Sequence, residues 1–345
     1  MMAGMSYRVG IYGASGYTGA ELLRLAAAHP DLDVVLATAD SQAGTKAADL
    51  YPSLAAAYPD LVFAEPDPAL ADANDIDLAF LALPHGASQH LVPDLRKRVG
   101  KIVDLAADFR LNDPGLYPQW YGEEHHHPEL LDQFAFGIPE LFRDDLRDAD
   151  LVAAAGCYVT AAALALAPLI RANVIEPTGI IVDAASGVSG AGRKLAHTSH
   201  FGTVNEDFTA YGLLNHRHTP EIEQATGAVK LLFTPHLAPM TRGILATCYA
   251  RPSEPMNSDP LATLADFYRD EPFVVVSEAS PSTKATLGSN TAHITARYDE
   301  RTGYVVVLCA LDNLVKGASG QAVQCANLAL GLPEATGLPM VAVYP

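Results

Sequence analysis

Three short stretches of this chain carry residue types that do chemistry. In AAGCYVTAAALA, residues 154–165, a cysteine follows a glycine and opens directly onto an alanine-rich run. In NHRHTPEI, residues 215–222, two histidines flank an arginine, and Thr219, Pro220 and Glu221 signal a helix start. In GASGYTG, glycines recur at 13, 16 and 19. A thiol serves as disulfide partner, metal ligand, small buried hydrophobe or nucleophile. The four cysteines, Cys157, Cys248, Cys309 and Cys325, are widely spaced with no paired zinc pattern, and in an apparently cytoplasmic chain they are expected to be reduced. Cys248, Cys309 and Cys325 sit inside apolar strand or helix patterns and are assigned to packing. Cys157 differs, because a helix N-terminus favours the thiolate and a nearby imidazolium favours it further. The thiol alone fits burial as well as nucleophilic attack. Its placement has to separate the two.

The elements around these stretches supply that placement. YRVGIY, residues 7–12, reads as a strand, GASGYTG as a turn, residues 17–29 as a helix and LDVVLATA, residues 32–39, as a second strand. A strand, glycine-rich turn, helix and strand within about 30 residues is the dinucleotide-binding pattern. Backbone amides at such a turn approach a pyrophosphate at a helix N-terminus. The spacing G-x-x-G-x-x-G also suits an ordinary tight turn, and the strand-to-helix context favours the cofactor. Further strands are expected at 77–84, 101–107 and 151–155, with a partly helical segment between the first two. The cysteine turn then follows the carboxyl end of a parallel strand, the edge where doubly wound sheets bind ligands. Asp40 suits a ribose hydroxyl and repels the extra phosphate of NADP, whereas Ser41 accepts that phosphate, so these neighbours leave the cofactor choice open.

After a helix at 158–173 the pattern changes to alternating or apolar strand-like runs at 179–185, 230–235, 244–251, 273–277, 293–298 and 304–311, with DERTG as a hairpin turn. The fold class is therefore α/β: an N-terminal Rossmann-type parallel-sheet domain, then an α+β domain with a mostly antiparallel sheet. Helices are expected at 261–269 and 319–330. In the second domain SGVSGAGRK, residues 186–194, combines small residues, Ser189 and Arg193, and suits an oxyanion or phosphate held partly by amides, or a flexible hairpin loop. Arg110 in DFRLND is a carboxylate clamp or a solvated charge. His125, His126 and His127 in EEHHHPEL are read as a solvated loop, since adjacent histidines point apart, and no metal site is expected. MTRG and DNLVKGASGQA are further polar breaks at strand ends.

Composition narrows the class. The 345 residues exceed one ordinary core, with 49% hydrophobic and 18% charged residues. A net charge of −18 opposes nucleic-acid binding, so an anionic ligand needs a local basic cluster. MMAGMSYRVG lacks the pattern of a leader, and no apolar run is long enough to span a membrane.

Taken together, GASGYTGAELLRL, FLALPHG, DLAADFRL, FGIPEL, GCYVTAA, SGVSGAGRK, HRHTPEI, RGILAT, GSNTAHI and DNLVKGASGQAVQ run in order from residue 13 to about 324 and resemble the N-acetyl-gamma-glutamyl-phosphate reductases, relatives of the aspartate-semialdehyde dehydrogenases. The resemblance implies NADP(H)-dependent reduction of N-acetyl-L-glutamyl 5-phosphate to the semialdehyde and phosphate, in arginine biosynthesis. It implies Cys157 as nucleophile, forming a thioester, and His216 as general acid and base. For the cofactor it implies Gly13, Ala14, Ser15, Gly16, Tyr17, Thr18, Gly19, Ser41, Pro84, Ser186, Gly187, Gly190 and Asn313, and for the substrate Arg110, Ser189, Arg193, His218 and Glu221. It implies an NADP-binding domain of residues 1–155 with 314–345, and a catalytic and oligomerisation domain of residues 156–313, in a cytoplasmic homodimer or homotetramer. Ala155 and Val159 stand where the family usually has proline, and Gln42 departs from the usual residues of its loop. Two competing readings keep part of this picture: the same chemistry on a carrier-linked aminoadipyl phosphate of lysine synthesis, and a non-catalytic NADP sensor. The first is opposed by the chain's negative charge, the second by Cys157 together with HRH.

Overall fold

The computed structural model describes residues 6–254 and 258–344. Residues 1–5, part of the stretch read for a leader, lie outside the described residues. The chain divides into two units, Met1–Gly115 with Glu123–Ala155 and Ala318–Leu338, and Leu116–Gly122 with Gly156–Gly317 and Pro339–Pro345. Residues 116–122, 314–317 and 339–345 thus fall in the second unit, where the sequence boundaries assign them to the first.

The first unit is built on six strands: β1 (Tyr7–Tyr12), β2 (Leu32–Thr38), β3 (Leu78–Leu81), β4 (Lys101–Asp104), β5 (Ala135–Gly137) and β6 (Leu151–Ala154). Their order is β2-β1-β3-β4-β6-β5, and every pairing is parallel. Parallel strands covered on both faces read as continuous apolar runs, and each residue of LAFL in β3 and LVAA in β6 is buried. The edge strand β5 is absent from the sequence reading; AFG is three residues long and ends in glycine, too short to show a period. The helix Gly320–Ala329 returns to this unit with all ten residues buried. Polar side chains fix its seat. Gln324 donates to Glu140 at 2.9 Å and to Glu334 at 2.7 Å, and Asn327 pairs with His29 at 3.0 Å.

The second unit carries β7 (Ile181–Gly187), β8 (Thr209–Ala210), β9 (Leu232–Ala238), β10 (Ile244–Ala250), β11 (Val274–Val276), β12 (Ala292–Asp299) and β13 (Tyr304–Leu311), in the order β11-β12-β13-β10-β7-β9-β8. Four of the pairings are antiparallel, and β11 with β12 and β7 with β9 run parallel. Strict alternation along β10, ILATCYA, turns one face inward. That face packs on the helix Cys157–Arg171. This helix is apolar all round and buried from Tyr158 to Leu169, as a central core helix must be. No side chain caps its start. A missing cap costs about 1 kcal/mol, whereas burying Leu164, Leu166 and Leu169, each 0% exposed, contributes roughly 6 kcal/mol. Packing therefore holds the helix.

Candidate functional site

In the second unit, the cysteine turn and the HRH segment come together. Gly156 is the N-cap and Cys157 the first residue of the helix. Cys157 is half-buried and reduced, whereas Cys248, Cys309 and Cys325 are 0% exposed. Gly156 leaves no room for a side chain, since a Cβ there would stand 2.4 Å from His218 Nε2. Its amide donates to Glu221 Oε1 at 2.7 Å. His218 and Glu221 both belong to the helix His218–Thr226, so one helix start supplies two contacts to the residue before the thiol.

His216 stands just ahead of that helix, edge-on to the rings of Tyr158, Tyr211, Phe233 and His218 at 4.8–5.8 Å between centroids. Burial among these rings, reinforced by the Arg217 charge, lowers its pKa to about 4. Its Nδ1 accepts the His218 amide at 3.1 Å, so the neutral ring carries its proton on Nε2. At neutral pH His216 is thus a hydrogen-bond donor. In this arrangement the Nδ1 lone pair is engaged by that amide. Tyr211 donates to Tyr158 at 3.2 Å, which donates to the His236 carbonyl at 2.9 Å. Burial pushes Tyr211 up to about 12 and Tyr158 further, so both stay protonated. Sequence reading missed both tyrosines, which look like core aromatics.

A second cluster in the same unit gathers Ser186, Gly187, Ser189 and Asn313. Asn313 accepts the Gly243 amide at 2.7 Å and donates to Ser189 at 3.0 Å. The amides of Gly187, Val188 and Ser189 donate to the carbonyls of Gly243, Met240 and Thr241. The amide cradle expected from SGVSGAGRK is therefore not available at these three positions, because the loop pairs with MTRG. Gly190 is exposed and Arg193 half-buried. Arg242 of MTRG, noted in sequence only as a polar break, lies 3.6 Å from the buried Asp312.

The first unit holds the glycine turn. Gly13 has φ +86°, and a Cβ there would meet the Ala82 carbonyl oxygen at 2.4 Å, so the fold itself requires this glycine. Gly16 is different, since a Cβ would find only ordinary contact at 3.7 Å. A side chain would fit at Gly16, and the helix Tyr17–Ala26 has no side-chain cap at its start, where a pyrophosphate would sit. Tyr51 donates to the Ser15 carbonyl at 2.8 Å and Ser319 to the Thr18 carbonyl at 2.8 Å, and Gly19 packs so closely on Ala14 that a Cβ would stand 2.5 Å from its Cα. Asp40, Ser41 and Pro84 are exposed at or after strand ends. Arg110 is 7% exposed, and its guanidinium donates to the Leu105 carbonyl at 2.7 Å.

Beside Arg110 lies a network the sequence did not reveal. Burial alone would raise Asp108, but hydrogen bonds from His85 and the amides of Gly86 and Gln89 outweigh it and hold the carboxyl below its usual range. Asp104, fully buried and facing the Asp108 charge, is pushed up to about 7. His125 is also buried, with Nε2 donating to the Asp108 carbonyl at 2.7 Å and Nδ1 accepting the His127 amide. This corrects the reading of EEHHHPEL as wholly solvated.

Residues 8–149 match the semialdehyde dehydrogenase NAD binding domain, and residues 157–313 match the semialdehyde dehydrogenase dimerisation domain. The N-acetyl-gamma-glutamyl-phosphate reductase of Pelotomaculum thermopropionicum is 49% identical, over 99% of this chain and 100% of that one. The chain belongs to the N-acetyl-gamma-glutamyl-phosphate reductase family. The reductase of Desulforudis audaxviator is likewise 49% identical, over 98% of this chain and 99% of its own. In fold, the chain is similar to aspartate semialdehyde dehydrogenase II of Vibrio cholerae, with a TM-score of 0.72 at 15% identity, covering 95% of this chain and 99% of that one. It is also similar to aspartate semialdehyde dehydrogenase with NADP from Candida albicans, with a TM-score of 0.68 at 14% identity, covering 94% and 98% of the two chains. Among the described residues, no helix of this reductase-family chain is long and apolar enough to cross a membrane.

Proposed function

We propose that this protein reduces N-acetyl-L-glutamyl 5-phosphate to N-acetyl-L-glutamate 5-semialdehyde and phosphate, with NADP(H), in arginine biosynthesis. One observation carries the reading: Cys157 opens a buried core helix beside the HRH segment, in a chain 49% identical to reductases of that name over nearly its full length. The Cys157 thiolate, favoured by the helix start, attacks the acyl carbon; a C–S bond forms, the C–O bond to phosphate breaks, and a thioester remains on the enzyme. NADPH, when bound, supplies the hydride that reduces this thioester. Gly13 to Gly19, with Ser41 and Pro84, are assigned to holding the cofactor. His216 donates its Nε2 proton as a hydrogen bond to the acyl oxygen, which is anionic after hydride addition. Collapse of that oxyanion re-forms the carbonyl and expels the Cys157 thiolate, so His216 stays neutral throughout. His218, Arg193, Ser189 and Arg110 are assigned to the carboxylate and phosphate of the substrate, and Ser186, Gly187, Gly190 and Asn313 to the cofactor. We assign the protein to the cytoplasm and, from the dimerisation-domain match, to a homodimer or homotetramer.

The test is phosphate-dependent reduction of NADP by N-acetylglutamate semialdehyde, wild type beside Cys157→Ser. Turnover by the wild type and a loss on the order of 1,000-fold in the variant, with NADP still bound, is the expected result. A wild type that binds NADP and leaves this semialdehyde unchanged would overturn the substrate.

A further inference from the structure

We infer that Glu221 is a positioning residue for the nucleophile, holding the turn at Gly156 on which Cys157 is presented, and not a contact to substrate. The inference rests on the reading of Cys157 given above. Helix starts commonly close their N-cap amide with a Glu or Gln at the third helical position. Here that position is Val159, and the N-cap is a glycine without a side chain. The acceptor comes from elsewhere: Glu221 Oε1 takes the Gly156 amide at 2.7 Å from 65 residues along the chain. The Glu221 side chain is 0% exposed, so no ligand atom reaches it in this arrangement.

Three contacts immobilise the turn together. Glu221 binds its amide, the His218 ring fills the space where a side chain on Gly156 would stand, and Gly317 packs so closely that a Cβ on it would lie 2.8 Å from Cys157 Cβ. Glycine has the widest conformational freedom of any residue, so Gly156 is the point at which the turn would loosen first. A misplacement of about 1 Å at a reacting atom lowers turnover on the order of 100-fold.

Two variants separate the hydrogen bond from the charge. Glu221→Gln keeps a carbonyl oxygen at the same reach, and Glu221→Asp keeps the charge but is shorter by one methylene. Each is compared with wild type for iodoacetamide labelling of Cys157, and for kcat and KM in phosphate-dependent NADP reduction. The other cysteines are 0% exposed and do not compete for the label. We expect Glu221→Asp to lower both the labelling rate and kcat by about 10- to 100-fold, with KM for the semialdehyde within about twofold, and Glu221→Gln to recover both to within about fivefold. A KM raised about tenfold with labelling unchanged would overturn the inference in favour of substrate contact. A Gln variant as impaired as the Asp variant would overturn it in favour of charge. Should the Asp variant fail to fold, the Gln variant decides: wild-type KM and labelling support the inference, a tenfold higher KM overturns it. Slower labelling of Glu221→Asp in a protein whose wild type leaves the semialdehyde untouched would uphold the positioning role and reject only the proposed substrate.

Discussion

Keeping His216 neutral ties the stability of the second unit to pH by an amount its surroundings set. Burial among Tyr158, Tyr211 and Phe233, with the Arg217 charge, lowers the ring from 6.5 to about 4. Unfolding returns it to water and to its ordinary value, so in the interval between these values the unfolded chain binds a proton that the folded chain refuses. A depressed pKa gives stability that is present above 6.5 and lost as the pH falls towards about 4. At about 1.4 kcal/mol per pH unit the whole loss is roughly 3 kcal/mol, of which roughly 2 kcal/mol falls between about pH 7 and about pH 5. His216→Asn removes this titration and leaves the other groups in place. The single tryptophan, Trp120, belongs to the same unit, so its fluorescence during urea unfolding reports on the unit that carries His216. The unfolding free energy of the wild type should fall by roughly 2 kcal/mol more than that of the variant over this range. Equal pH dependence in the two chains would refute the assignment of a buried, neutral ring. The same assignment predicts no activity limb near the ordinary histidine value.

Two further outcomes follow from the first unit. Gly13→Ala forces a side chain into positive φ and into the Ala82 carbonyl, and should leave little folded protein, whereas Gly16→Ala should keep the thermal midpoint and weaken NADP binding about tenfold by titration calorimetry; unchanged affinity would remove Gly16 from the pyrophosphate site. Asp104, raised to about 7, contributes stability at low pH that is lost as the pH rises through that value, so Asp104→Asn, whose carbonyl can still accept from Ser88 and Ala106, should stabilise the protein more at about pH 8 than at about pH 5 in thermal melts. A gain that is the same at both would show that Asp104 is ionised in the fold throughout.

The sequence by itself determined what depends on neighbours along the chain. Apolar runs gave the positions of β1, β3 and β6, alternation gave β10, β12 and β13, and the order of strand, glycine turn and helix marked the dinucleotide unit. Cys157 stood out because glycine precedes it and a helix follows, and the ordered motifs carried the family. Tertiary structure decided what depends on partners far apart in number. Glu221 meets Gly156 across 65 residues, the amides of residues 187–189 pair with residues 240–243, and the helix Gly320–Ala329 joins a sheet begun at Tyr7. The same holds for proton affinity: HRH reads as two similar histidines, and burial among Tyr158, Tyr211 and Phe233, with the Arg217 charge, lowers that of His216. Local periodicity records which face of an element is apolar. Desolvation and hydrogen-bond occupancy depend on what covers that face, and the covering groups are brought there by the fold.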